Sequence, residues 1–210
     1  KNNYRGDYKY CYCTKSSHFR HIVEEALKNG IHLETSSAFD MPMIEALEKK
    51  GALTKDITVI CNGFKTYQYK QYIIDMLHDG YKNIIPVLDN KEEFNLFDDE
   101  VELDTPCNLG IRIAAEEQPD SQFYTSRLGV RLEDVIEFYN NKISANPNFR
   151  VKLLHFFINS GITDSPYYWN ELEKYVTLYC KFKKINPELD TLDIGGGMPF
   201  KDSLVFDFDY

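Results

Sequence analysis

TLDIGGGMPF, residues 191–200, ends the last strand-like run of this chain on a carboxylate and follows it at once with three glycines. Three bare backbone amides in a row can approach an anion closely. Their position is what discriminates between folds. Dinucleotide-binding sheets place the glycine turn in their first βα unit, whereas (β/α)8 barrels often hold a phosphate after strands 7 and 8. Upstream of the glycines, apolar runs at 9–14, 31–35, 57–61, 83–88, 108–114, 151–157 and 191–194 read as strands. Between them, residues 18–29, 39–50, 66–79, 90–97, 131–142 and 166–184 carry apolar side chains at helical spacing. Gly30, Gly51 and Gly80 lie just past helical segments, where a left-handed C-cap favours glycine, and Pro86 weakens the strand reading of NIIPVL. A doubly wound open sheet and a closed barrel both fit this order. The late glycines favour an α/β fold of the TIM (β/α)8 barrel type, one strand short of closure, with 1–210 as one partial domain of a longer polypeptide.

The runs share a second property. YCYCT leads to Lys15, IHL to Glu34, TVIC to Asn62, GIR contains Arg112, VKLLH ends on His155 and TLD on Asp193. Parallel strands are buried on both faces, so ionisable groups recurring near their carboxyl ends need a reason, and in such folds ligands bind at those ends. Alternation from Cys11 and Cys13 puts Lys15 on their face, Arg112 with Gly110 and Ala114, His155 with Phe157 and Asp193 with Thr191. A lysine at the mouth, a triglycine loop and polar groups from other strands suit a phosphorylated aldehyde held as a Schiff base, which is pyridoxal 5′-phosphate (PLP). Either feature alone is common; their combination is the informative one.

With 43% apolar and 27% charged residues, the chain can build a substantial core. No apolar run approaches the ~18 residues of a membrane span, and the first residues lack the apolar core of a secretory signal, so the expected location is cytoplasmic. A net charge of −9 and no basic patch argue against nucleic acid as a partner. Five cysteines without zinc-like spacing read as reduced core residues, and His18 with His21 lacks a third metal ligand. Tyr167, Tyr168 and Trp169 are expected to pack the barrel or an oligomer contact, and Asp98, Asp99 and Glu100 to form a solvated loop.

Taken in order, KYCYCTKSSHF, HLETSSAFD, ICNGFK, NLGIRIAAEE, SRLG, LLHFFINSG and LDIGGGMPF resemble the barrel of the alanine-racemase-like (fold type III) PLP-dependent decarboxylases. The arginine decarboxylases are the nearest match, with the ornithine, lysine and diaminopimelate decarboxylases as relatives. The resemblance implies that Lys15 is the Schiff-base lysine, that Glu34 lies near that lysine and the cofactor, and that Arg112 lies beside the ring hydroxyl. It implies that Ser160 and Gly195, Gly196 and Gly197 bind the phosphate, and that Arg127 lies near a subunit interface. Phe157 stands where the relatives carry a histidine stacked on the ring, so the aromatic face is kept and the proton is lost. His155, two residues earlier, reads equally as a satisfied core histidine or as a direct participant. The implied enzyme decarboxylates a basic amino acid as its small-molecule substrate, arginine to agmatine first, and feeds polyamine synthesis as a homodimer or larger homo-oligomer. A non-catalytic or regulatory PLP-binding homologue is the alternative, with racemase chemistry third. A strand-eight segment resembling EPGR and the Cys-Asp interface motif of the relatives are absent from these residues, so this stretch alone is not expected to be a complete catalyst.

Overall fold

Seven short strands form because each is an apolar, β-branched or aromatic run too short for a helix, bounded by glycine or polar residues. A computed structural model describes residues 5–98, 106–114, 128–158 and 165–197. The strands are β1 (Cys11–Cys13), β2 (His32–Thr35), β3 (Val59–Cys61), β4 (Ile84–Leu88), β5 (Cys107–Arg112), β6 (Phe149–His155) and β7 (Thr191–Asp193), hydrogen-bonded in chain order. The helices are α1 (Arg20–Lys28), α2 (Met41–Lys49), α3 (Tyr67–His78), α4 (Glu93–Asp98), α5 (Val135–Phe138) and α6 (Ser165–Ile185). Every recorded strand pair is parallel, as βα repeats require.

The chain divides into two compact units, residues 1–86 with 95–108, and residues 87–94 with 109–210. In the first, Leu33, Val59, Ile44, Met41 and Ile73 are fully buried between strands and helices. Full burial of such a side chain stabilises by about 1.5–3 kcal/mol. Gly30, Gly51 and Gly80 adopt φ of 71°, 70° and 90°, as helix C-caps demand. The Thr66 hydroxyl caps α3 by accepting from Tyr69 N–H at 3.2 Å. In the second unit, Leu109, Ile111, Leu154 and Phe156 form the core with α6, whose Tyr175 stacks on Phe156 at 4.2 Å between centroids. Asn186 just beyond α6 donates to Val151 O at 2.7 Å, tying the helix end to β6.

Pro86 does sit in a strand. β4 is in register with β3 at residues 84–86 and with β5 only from Val87, so the missing N–H costs no rung on the β5 side. Residues 131–142 are not one helix: a 3-10 turn (Leu132–Asp134), α5 and a π turn (Tyr139–Ile143) follow one another. Of the aromatic cluster, Tyr168 is buried while Trp169 is half exposed. Among the cysteines, Cys61 and Cys107 are buried, Cys11 and Cys13 are partly so, and Cys180 is exposed on α6, which corrects a uniform core reading. Asp98 ends α4 exposed; Asp99, Glu100, Arg127 and Ser160 lie outside the described residues. Among the described residues, no helix is long and apolar enough to cross a membrane.

Candidate active site

The first unit gathers its polar groups where β1, β2 and β3 end. The register sets Cys13 opposite Glu34, and Thr35 opposite Cys61. Asn62 follows β3 directly, and its amide Nδ2 donates to Glu34 Oε1 at 3.0 Å, while its Oδ1 is buried with no partner among the described residues. Glu34 is therefore oriented by its neighbour rather than left free. Lys15 differs from the alternation expected of it. β1 ends at Cys13 because the Thr14 hydroxyl bonds back to Glu34 O at 3.1 Å, and residues Thr14–Ser16 turn as a 3-10 helix. Strand parity stops two residues early, and Lys15 projects, exposed, from that turn. Its ammonium makes no ion pair among the described residues. The Cys13 thiol is pushed up, first by burial and then by the Glu34 charge.

One residue here went unnoticed in the sequence. Asp40, 1% exposed, accepts from Ser36 N–H at 2.7 Å and Ser37 N–H at 3.0 Å, and its other oxygen meets His18 Nε2 at 2.8 Å. His18 is thus the partner of a carboxylate, three residues after Lys15, and the loops that follow β1 and β2 are joined. Gly63 reinforces the same corner. At φ 77° a Cβ on it would stand 2.0 Å from Ser36 O, so only glycine lets the β3 loop lie against the β2 loop.

The second unit places Arg112 at the end of β5 and Asp89 one residue past β4. Pairing of Leu88 with Ile111 makes these two side chains neighbours, and Arg112 Nη1 lies 3.3 Å from Asp89 Oδ1. Asp89 follows the apolar run IIPVL, so the signal that found the other strand-end groups also marks it. His155 ends β6 and is 5% exposed; its carbonyl accepts from Ile113 N–H at 2.8 Å, and its Nδ1 lies 2.9 Å from Asp193 Oδ2 on β7. His155 is thus buried with its imidazole against a carboxylate. Burial pushes the Asp193 carboxyl up, but the His155 imidazole and the Gly195 N–H, which donates to Oδ1 at 2.9 Å, outweigh it, so its pKa lies below the ordinary value.

The glycine loop follows immediately. Gly195 is wedged, at φ 67°, with a hypothetical Cβ 2.7 Å from Phe156 O and 3.4 Å from Phe157 Cδ2. Gly196 and Gly197 are the opposite: a Cβ on either meets nothing within 4 Å among the described residues. Phe157, half-buried and beyond the end of β6, lies beside this loop. Within this unit Arg112 ends β5 and His155 ends β6, with Phe157 packed near Gly195, and Gly196 and Gly197 following; within the other, Lys15 and Glu34 lie at or just past the ends of the paired strands β1 and β2.

Residues 1–204 match the family described as pyridoxal-dependent decarboxylase, pyridoxal binding domain. The biosynthetic arginine decarboxylase of Citrifermentans bemidjiense is 26% identical over 206 residues, which cover 94% of this chain and 32% of that protein. The chain thus spans about a third of the length of such relatives. The fold is shared with the lysine decarboxylase of Selenomonas ruminantium (TM-score 0.72, 18% identity, 96% of this chain and 49% of that one). It is shared also with a diaminopimelate decarboxylase from M. jannaschii in co-complex with L-lysine (TM-score 0.75, 18% identity, 96% and 47%). The parallel βα order, the polar groups at the strand ends and the match over nearly all of its length lead to one conclusion: the chain belongs to the pyridoxal-dependent decarboxylases, as their pyridoxal binding domain.

Proposed function

We propose that this chain supplies strands β1–β7 of a (β/α)8 barrel of alanine-racemase type to a PLP-dependent decarboxylase of a basic amino acid. Arginine, converted to agmatine and carbon dioxide, ranks first as substrate. The observation that carries the reading is the pair of open glycines, Gly196 and Gly197, close behind the His155–Asp193 pair at the ends of β6 and β7. No hydrogen bond among the described residues takes up their N–H groups, and the space a Cβ would enter is free, as a phosphate requires. The orphaned Asn62 Oδ1 beside Glu34 is a further buried polar atom awaiting a donor. The residues present fit the cofactor.

In this reading Lys15 would hold PLP covalently through its ε-amine. Gly196 and Gly197 would donate to the phosphate, a role the family resemblance also gives Ser160, and Glu34, fixed by Asn62, would orient the lysine end. Arg112 favours the deprotonated ring oxygen by its charge. Phe157 offers an aromatic face and excludes water, but cannot share a proton. His155 is a positioning residue for Asp193 and the loop behind it. When bound, PLP supplies an electron sink for the electron pair left by carbon dioxide; the protein's part is to bind, orient and tune. The proposal extends to a cytoplasmic homodimer or larger homo-oligomer serving polyamine synthesis.

A second reading has one observation in its favour. Phe157 removes an ionisable group from the position the family resemblance assigns to stacking, which suits a homologue that binds PLP without turnover. The test uses the full-length protein. The absorbance band of cofactor linked covalently to Lys15, abolished by Lys15→Ala, is expected, together with carbon dioxide release from one of arginine, lysine, ornithine or diaminopimelate. Bound cofactor with no substrate consumed selects the second reading, and no bound cofactor overturns both.

A further inference from the structure

Asp89 is among the most deeply buried carboxylates of the chain, at 1% exposure, and it stands under Arg112, which keeps 12% of its side chain accessible. Burying a carboxylate is unfavourable unless a charge and hydrogen bonds return the loss. Here the return is partial. One oxygen lies 3.3 Å from Arg112 Nη1, and the other, Oδ2, is buried without a hydrogen-bond partner among the described residues. A carboxylate kept only to hold strands together is normally saturated. The Asp89 backbone, by contrast, is fixed on both sides: its N–H donates to Glu93 Oε2 at 2.8 Å, and its carbonyl accepts from Gly129 N–H. The side chain is thus aimed by a rigid frame at a single target.

The strand register explains the aim. Val87 opposes Gly110 and Leu88 opposes Ile111, so the next residues, Asp89 and Arg112, fall side by side on the face that also carries Gly110. Gly110 has no room for a side chain: a Cβ there would stand 2.8 Å from Val87 Cγ2 and 2.9 Å from Leu153 Cδ2. A guanidinium has five donors in a rigid fork, and a single-pronged contact to Asp89 leaves most of them directed elsewhere.

We propose that Asp89 is a positioning residue: its carboxylate anchors Arg112 from below and sets the direction in which the free edge of the guanidinium meets the bound cofactor. Among the described residues, titratable groups on neighbouring elements include Glu93 on α4, which holds the Asp89 backbone, and His155 on β6, which lies against Asp193. Neither replaces the anchor. This inference rests on the proposed assignment of Arg112 to the cofactor.

The test is a double-mutant cycle on the full-length protein with PLP as the probe. Dissociation constants and the visible absorbance band of bound PLP are recorded for wild type, Asp89→Asn, Arg112→Gln and the double variant. Loss of one charge-assisted contact predicts about tenfold weaker PLP binding for Asp89→Asn, with a displaced band. In the Arg112→Gln background the same change is expected to alter the dissociation constant by less than about twofold, because a residue acting through another is silent without it. Equal losses in both backgrounds, or an Asp89→Asn protein that binds PLP like wild type, overturn the proposal. Should Asp89→Asn not fold, Asp89→Glu, which keeps the charge and displaces it, is carried through the same cycle. A wild-type protein that takes up no PLP overturns the reading of the site itself and is distinct from either result.

Discussion

An alanine Cβ at Gly195 would stand 2.7 Å from the Phe156 carbonyl oxygen, at a φ of 67°, whereas at Gly196 it would meet nothing within 4 Å. Two adjacent substitutions therefore have different consequences. Gly195→Ala adds left-handed strain of about 1–2 kcal/mol and a backbone clash, and is expected to lower the melting temperature by several degrees. Gly196→Ala leaves the melting temperature of the cofactor-free protein unchanged and obstructs the open space, with about tenfold or greater loss of PLP affinity if one phosphate hydrogen bond goes. Equal loss of stability in both variants would show that the loop serves only the fold. At Asp193, the carboxyl pKa lies below its unfolded value because His155 and the Gly195 N–H prevail over burial. Its contribution is fully present above the unfolded value of about 4 and disappears as pH falls through the folded value. Asp193→Asn should flatten that acid limb of the stability profile and cost about 1.5–3 kcal/mol at neutral pH, measured by denaturant unfolding at a series of pH values.

The strands and helices follow from hydrophobic runs and their spacing, and each strand expected from the sequence is present to within two or three residues. What could not be read is where a strand stops. β1 ends at Cys13 because the Thr14 hydroxyl reaches across to Glu34 O, a contact that exists only once β2 has paired, so the turn that carries Lys15 is a tertiary effect. The same holds for the segment after Val130, where α5 gives way to a π turn although the apolar spacing is that of one helix. Asp89 was legible by the rule that found Arg112 and Asp193, a polar residue closing an apolar run, but its pairing with Arg112 needed the register of β4 against β5. That register gives the prediction at this scale. Gly110→Ala inserts a methyl between Val87 and Leu153 and is expected to cost about 1–3 kcal/mol by overpacking, read as a lower urea midpoint with unchanged slope. A variant as stable as wild type would mean that β4, β5 and β6 separate without cost.

At the scale of the molecule, a ligand that binds only the folded protein stabilises it by mass action, whatever chemistry follows. With free PLP at a hundred times its dissociation constant the gain is about 2.7 kcal/mol, and for chains of this size each kcal/mol moves the melting temperature by about 2–4 °C. For a cooperative unit of this size a rise of about 5–10 °C is therefore expected on adding PLP to the full-length, cofactor-free protein, and a smaller one where a longer stretch unfolds together. The pieces of the ligand can be apportioned by the same measurement. Pyridoxal, which keeps the aldehyde and ring but lacks the phosphate, loses whatever Gly196 and Gly197 contribute and should raise the melting temperature by clearly less at equal concentration. Lys15→Ala, which keeps the glycines, should retain part of the response to PLP, because only the bond to the ε-nitrogen is removed. Identical shifts from PLP and pyridoxal would assign the open glycines to something other than phosphate, and a Lys15→Ala protein that responds to PLP as fully as wild type would take the lysine out of the site.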